Sequence, residues 1–114
     1  MPTPDAAGFL PLHPLEFRIL LVLRQGTSWG SRIVAEIEAR ERSRVTLYPA
    51  NLYRRVRDLS SRGLIAEAET PPGGDPRRGY MVITPLGARV LSLEAERLQG
   101  LVAEAAAEGL LSDA

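Results

Sequence analysis

Between Pro49 and Arg62 the chain reads PANLYRRVRDLSSR, placing Arg54, Arg55 and Arg57 within four positions. Leu52, Val56 and Leu59 stand at i, i+4 and i+7 and form one apolar stripe of a helix. With that stripe turned inward, Asn51, Arg54, Arg55, Arg57 and Asp58 turn outward. A guanidinium fork grips guanine bidentately or holds a phosphate, and an Asn amide matches adenine. The Tyr53 hydroxyl can reach a phosphate oxygen. A second pair, Arg77 and Arg78, follows a Gly-Gly-Asp-Pro turn. From such a loop the two side chains can reach over a minor groove or the flanking backbone. Each cluster taken alone also suits a plain solvated surface, with Arg54 spaced to pair with Asp58 on the helix. The two together are a more specific signal.

The charge distribution points the same way. The chain carries 14 basic and 14 acidic residues, so it is neutral overall. Residues 40–84 nevertheless hold nine arginines against five acids, while residues 85–114 hold two against five. A basic middle beside an acidic end is the footprint of a polyanion partner. Every basic residue is Arg and none is Lys, which suits bidentate recognition but follows equally from arginine-rich codon usage. Cysteine is absent and His13 is the single histidine. A thiol nucleophile, a disulfide scaffold, a Cys-based metal site and a multi-His metal site within one chain are thereby excluded. No nucleophile–base pair stands out, so an enzyme is not expected and no cofactor is called for. No apolar run approaches the roughly 18 residues needed to span a membrane, and the first residues lack the pattern of a secretory signal. A cytoplasmic protein with no membrane association is the expectation.

These side chains need elements to hold them. Residues 1–11 hold three prolines and no periodicity, and read as a flexible arm. A first helix starts at Pro14, with His13 as a weak cap, and ends at Gly26. Ser28 caps a second helix over about residues 29–42, with Ile33, Val34 and Ile37 on its apolar side. Trp29 reads as a core or rim aromatic of that helix, or as the lining of a ligand pocket. The stretch from Arg40 to Arg44 reads as a solvated helix end that also lies within reach of a DNA backbone. Val45 to Leu47 is a short β-prone piece. Pro49 opens the third helix, which Gly63 ends. Two strands follow, from Leu64 to Glu69 and from Tyr80 to Thr84, around a long mobile tip rich in Gly and Pro. Thr84 then caps a long helix from Pro85 to about Glu108. In it Ala88, Leu91, Ala95, Leu98, Val102 and Ala105 step by three and four, the spacing of a coiled-coil seam. Leu86, Val90, Leu93 and Leu101 lie on a neighbouring face. One face can pack on the body, and the other is left over.

This order predicts a mainly α (α+β) fold: a winged helix-turn-helix with a two-stranded wing and a long C-terminal helix. The third helix is the one expected in a major groove.

Several motifs resemble one family at matching spacing. Leu12-His13-Pro14-Leu15-Glu16-Phe17-Arg18-Ile19-Leu20 is similar to its opening helix. Trp29-Gly30-Ser31-Arg32-Ile33 stands where the family has His-Gly-Tyr and an aliphatic. Pro49-Ala50-Asn51-Leu52-Tyr53-Arg54 resembles the start of its recognition helix. Asp75-Pro76-Arg77-Arg78-Gly79-Tyr80, then Ile83-Thr84-Pro85-Leu86-Gly87, resembles its wing. The family is that of PadR-type transcriptional regulators, in its short form with one C-terminal helix, and the likeness spans residues 12–105. Trp29 and Ser31 depart from the family's His and Tyr, and Gly79 replaces a frequent Arg or Tyr.

The resemblance implies a sequence-specific DNA-binding repressor, acting as a homodimer on a palindromic double-stranded operator. It also implies release by a small hydrophobic or aromatic effector in many members. The DNA-binding residues would be Asn51, Tyr53, Arg54, Arg57, Arg77 and Arg78. Dimerisation would use Leu91, Ala95, Leu98, Val102 and Ala105. The chain then divides into an arm (1–11), a winged-helix DNA-binding domain (12–84) and a C-terminal dimerisation helix (85–114). A winged-helix module that binds proteins and has lost sequence-specific DNA binding is the competing reading, and the two arginine clusters argue against it.

Overall fold

The computed structural model describes residues 5–40 and 49–111. Pro14 opens helix α1, Pro14–Arg24, and His13 is its N-cap, with Nδ1 accepting the Leu15 N–H at 3.0 Å. The Glu16 carboxylate in turn accepts the His13 N–H at 3.0 Å, so the two side chains close a reciprocal cap. His13 is thus a better cap than its type suggests.

Strand β1, Ser28–Trp29, follows and leads into helix α2, Gly30–Arg40. The expected helix cap at Ser28 is therefore a short strand. Its backbone pairs antiparallel with the later hairpin, and the Trp29 ring seats edge-on against Tyr80 at 5.4 Å between centroids. Helix α3 spans Pro49–Ser61. Its end is set by Gly63 at φ +77°, where the chain reverses and the Leu64 N–H donates to the Leu59 carbonyl at 3.0 Å. The expected strand at Val45 to Leu47, and the stretch from Glu41 to Arg44, lie outside the described residues.

Strands β2, Ile65–Glu67, and β3, Tyr80–Ile83, form the hairpin, with Ala66 opposite Val82. The expected two-stranded wing is this hairpin; β3 is also the central strand of a three-stranded sheet, with β1 on its other side. Helix α4, Pro85–Ala107, is capped by Thr84, whose Oγ1 accepts the Gly87 N–H at 3.0 Å and donates to the Gly63 carbonyl at 2.6 Å. Gly87 is required there, because a Cβ would stand 2.1 Å from the Leu64 carbonyl oxygen.

The core gathers Ile19, Leu20 and Leu23 of α1, Ile33 and Ile37 of α2, and Leu52 and Leu59 of α3. Leu64 and Ile65, with Val90 and Leu91 of α4, complete it. Leu91 is thus covered by its own chain, although the resemblance placed it in a dimer seam.

Residues 5–12 are more ordered than the flexible arm expected. Asp5 caps a single 3-10 turn over Ala6–Phe9, and Ala6 and Leu12 are buried. The Leu12 N–H donates to the buried Glu94 carboxylate of α4 at 2.7 Å. Apolar side chains and one long-range carboxylate hold the segment against α4. Among the described residues, no helix is long and apolar enough to cross a membrane.

Candidate nucleic-acid interface

Leu52 and Leu59 are fully buried on α3, which fixes the opposite side of the helix toward solvent. Asn51, Tyr53, Arg54 and Arg57 are all exposed on that side. Arg54 donates to the Asn51 Oδ1 at 3.3 Å, which links two exposed polar side chains one turn apart. Asp58 pairs with Arg62 at 3.3 Å instead of with Arg54.

Arg55 departs from the expectation that it faces outward. It is only partly exposed and approaches the Glu16 carboxylate of α1 at 3.9 Å. Arg62 pairs with the same carboxylate directly. Two arginines from the α3 segment therefore converge on one buried acid. This clamp sets α3 on α1 and leaves Arg54 and Arg57 as the outward arginines. Local spacing could not reveal it, since Glu16 and Arg62 are separated by 46 positions.

The wing holds its two arginines by different means. Asp75 Oδ1 accepts the Arg77 backbone N–H at 2.9 Å and Nε at 3.2 Å, while Oδ2 takes Nη2 at 3.3 Å. The Arg77 side chain beside it, with its backbone N–H, holds the Asp75 carboxyl below its ordinary pKa. Arg77 itself stays 90% exposed, so this fork orients it without covering it. Arg78 instead places its guanidinium carbon 4.3 Å from the centroid of the Trp29 ring.

The tip between the strands is tied down, in contrast to the mobile tip expected. The Asp75 N–H donates to the Tyr80 hydroxyl at 3.0 Å, and the Gly74 N–H donates to the Pro71 carbonyl at 2.8 Å. Gly74 permits this, since a Cβ there would stand 2.7 Å from the Tyr80 hydroxyl. Tyr80 is core packing at its ring and a tether at its hydroxyl.

Two adjacent residues connect the wing to α3. Trp29 touches Arg78, and Gly30 lies under Tyr53, so closely that a Cβ on Gly30 would stand 2.6 Å from the Tyr53 Cε1. The Trp29–Gly30 step therefore touches both Arg78 of the wing and Tyr53 of α3.

On α4, Ala95 and Val102 are exposed, Val102 to 55%, while Leu98 and Ala105 are half-buried. Leu101 beside them is 47% exposed. Glu94, near the middle of the helix, is buried and paired with Arg97. A cavity of about 410 Å³ opens between α1, α2 and α4, lined by Phe17, Leu21, Val22, Ile37 and Leu98 and also by the charged Glu94 and Arg97. Among the described residues, no group of His, Asp or Glu is placed to hold a metal ion.

Known proteins share this fold. The model of the transcriptional regulator PadR-like family matches residues 19–93. Among solved structures, a PadR family transcription regulator from Clostridium difficile R20291 superposes with a TM-score of 0.70 at 20% identity, covering 82% of this chain and 95% of that one. A transcriptional regulator from Clostridium thermocellum gives a TM-score of 0.67 at 20% identity, covering 93% of each chain. The protein smu.1704 from Streptococcus mutans UA159 gives 0.67 at 20% identity, covering 88% of this chain and 92% of that one. No curated protein matches at a significant level. The family match spans most of the chain, from α1 across α3 and the wing into α4, and on that ground this chain belongs to the PadR-like family of transcriptional regulators, DNA-binding proteins of winged-helix fold and not enzymes.

Proposed function

We propose that the chain acts as a homodimeric, sequence-specific repressor on a palindromic operator in the cytoplasm. The observation that carries this reading is the meeting of two arginine-bearing elements at Trp29 and Gly30. Asn51, Tyr53, Arg54 and Arg57 lie exposed on α3, and Arg77 and Arg78 lie on the wing joined to it through Trp29 and Gly30. In this reading α3 enters the major groove, Asn51 and Arg57 read base edges, and Arg54 and Tyr53 hold phosphates. Arg77 and Arg78 contact the backbone beside the site.

The distal part of α4 supports pairing with a second copy. Ala95, Leu98, Leu101, Val102 and Ala105 form a stripe that the chain's own body leaves partly or wholly uncovered. A two-fold dimer through this stripe sets two α3 helices about one DNA turn apart. The apolar cavity beside Phe17 and Leu98 is large enough for a small aromatic effector, which would act on the spacing of the two halves.

Binding measured across a panel of operator variants and salt concentrations tests the assignment. Asn51→Ala or Arg57→Ala relaxes base preference at one half-site position, by about 1–3 kcal/mol for a bidentate contact. Arg77→Ala weakens all sequences alike and lowers the salt slope by about one. Unchanged base preference in both α3 variants removes α3 as the reader.

A further inference from the structure

Trp29 is half-buried on the edge strand and lies outside the buried core cluster. Its surroundings are unusual for such a residue. The Tyr80 ring meets it edge-on, at 5.4 Å and 72°. Arg32 stands 5.5 Å from its centroid, and Arg78 stands 4.3 Å from it. Arg32 is also engaged with Glu36 at 3.7 Å, one turn along α2. Among the described residues, Arg78 has no ion pair with a carboxylate; Asp75 gives its oxygens to Arg77 and attracts Arg78 only at longer range. The indole face is thus the side-chain contact that holds Arg78.

The chemistry of that contact is suited to a groove-facing arginine. A ring beneath the guanidinium plane attracts its charge and limits its rotamers, yet uses none of its five in-plane N–H donors. Those donors stay available for a phosphate. An aspartate would orient the side chain and occupy the donors at once. Trp29 also occupies a position where this chain departs from the family's histidine. Its register opposite Tyr80 ties it to the same residue that tethers the wing tip.

We propose that Trp29 is a positioning residue for DNA binding: it holds Arg78 on its ring face, with the guanidinium edge presented to a phosphate. The proposal rests on the DNA-binding reading above. Trp29 touches no DNA in this scheme and acts through Arg78.

The test has one arm without DNA and one with it. Trp29 is the sole tryptophan, so the emission of the free protein reports its surroundings directly. Arg78→Ala shifts that emission if the guanidinium covers the ring; an unchanged spectrum overturns the proposal. On DNA, Trp29→Ala and Arg78→Ala each weaken binding by about two- to tenfold. The double variant is no weaker than Arg78→Ala alone, since both remove one contact. Trp29→Phe keeps a ring and restores most of the affinity, which a general role in folding also checks through its unfolding midpoint. Additive losses in the double variant, or a Trp29→Ala loss that persists undiminished without Arg78, mean that Trp29 acts by itself and overturn the proposal. If Trp29→Ala does not fold, the Arg78→Ala spectrum still decides it, since an unchanged emission overturns the proposal. If the spectrum responds but the wild-type chain shows no selective DNA binding, the DNA reading has failed and the positioning role fails with it. Selective binding with additive variants defeats the proposal alone.

Discussion

Arg62, one residue past the end of α3, pairs with Glu16 of α1, a carboxylate only 4% exposed that also caps its own helix through the His13 N–H. One acid therefore caps the start of α1, anchors α3 and draws Arg55 away from the outward face. A carboxylate with so little water relies on those partners to offset its desolvation.

Glu16→Gln keeps an oxygen for the His13 N–H but removes the charge that Arg55 and Arg62 face. The expected loss is about 1–3 kcal/mol of stability, kept moderate because Arg62 is 30% exposed. Chemical denaturation measures it. An unchanged midpoint means that the clamp contributes nothing to the placement of α3.

Glu94 predicts a response to acid. The Arg97 guanidinium beside it holds its carboxyl below the ordinary glutamate range, burial opposes this, and the Leu12 N–H assists. A depressed folded-state value means that the stabilisation is present above the unfolded value and is lost as pH falls through it toward the folded one. The wild type should therefore lose stability from about pH 5 downward more steeply than Glu94→Gln. At neutral pH the variant costs about 1–2 kcal/mol, since Arg97 remains partly solvated. Thermal melts of both proteins across pH check the difference. Parallel curves contradict the account.

Gly87 and Gly100 sit on one helix and should respond oppositely to alanine. A Cβ on Gly87 meets the Leu64 carbonyl, a backbone atom that cannot rotate away, and Gly87→Ala should destabilise by about 2–4 kcal/mol. Gly100 has open space, so Gly100→Ala should stabilise by up to about 1 kcal/mol through helix propensity. Equal effects in unfolding experiments mean that the junction of α4 with the body is placed wrongly.

Leu98→Asp tests the pairing of two copies. A charge in the stripe should yield monomers in sedimentation and reduce affinity for a full palindrome at least tenfold, with half-site contacts intact. A monomer that binds the full site normally excludes the dimer.

The elements whose signals are local were legible in the sequence. Pro49 with the Leu52–Val56–Leu59 stripe marked α3 to within one residue, and Thr84-Pro85 marked the start of α4. The outward placement of Asn51, Arg54 and Arg57 followed from the same stripe. What escaped depends on distant partners. β1 is two residues long and exists through Tyr80 and Met81, some fifty positions away. The segment from Asp5 to Leu12 reads as loose until Glu94, 82 positions on, supplies its acceptor. Arg55 faces inward because Glu16 is there, and Leu91 is covered because α4 begins deep in the core. Heptad spacing identifies a stripe but not where along it the body ends.

The central claim is that this surface reads a DNA sequence. Fluorescence anisotropy of the full chain on the DNA upstream of its own gene, with a scrambled duplex as control and a salt series for both, tests it most directly. The account predicts tight binding to the first DNA, markedly weaker binding to the scrambled one, and a fall in affinity with salt on each. Equal and weak binding to both contradicts it, and assigns the arginines of α3 and the wing to another partner.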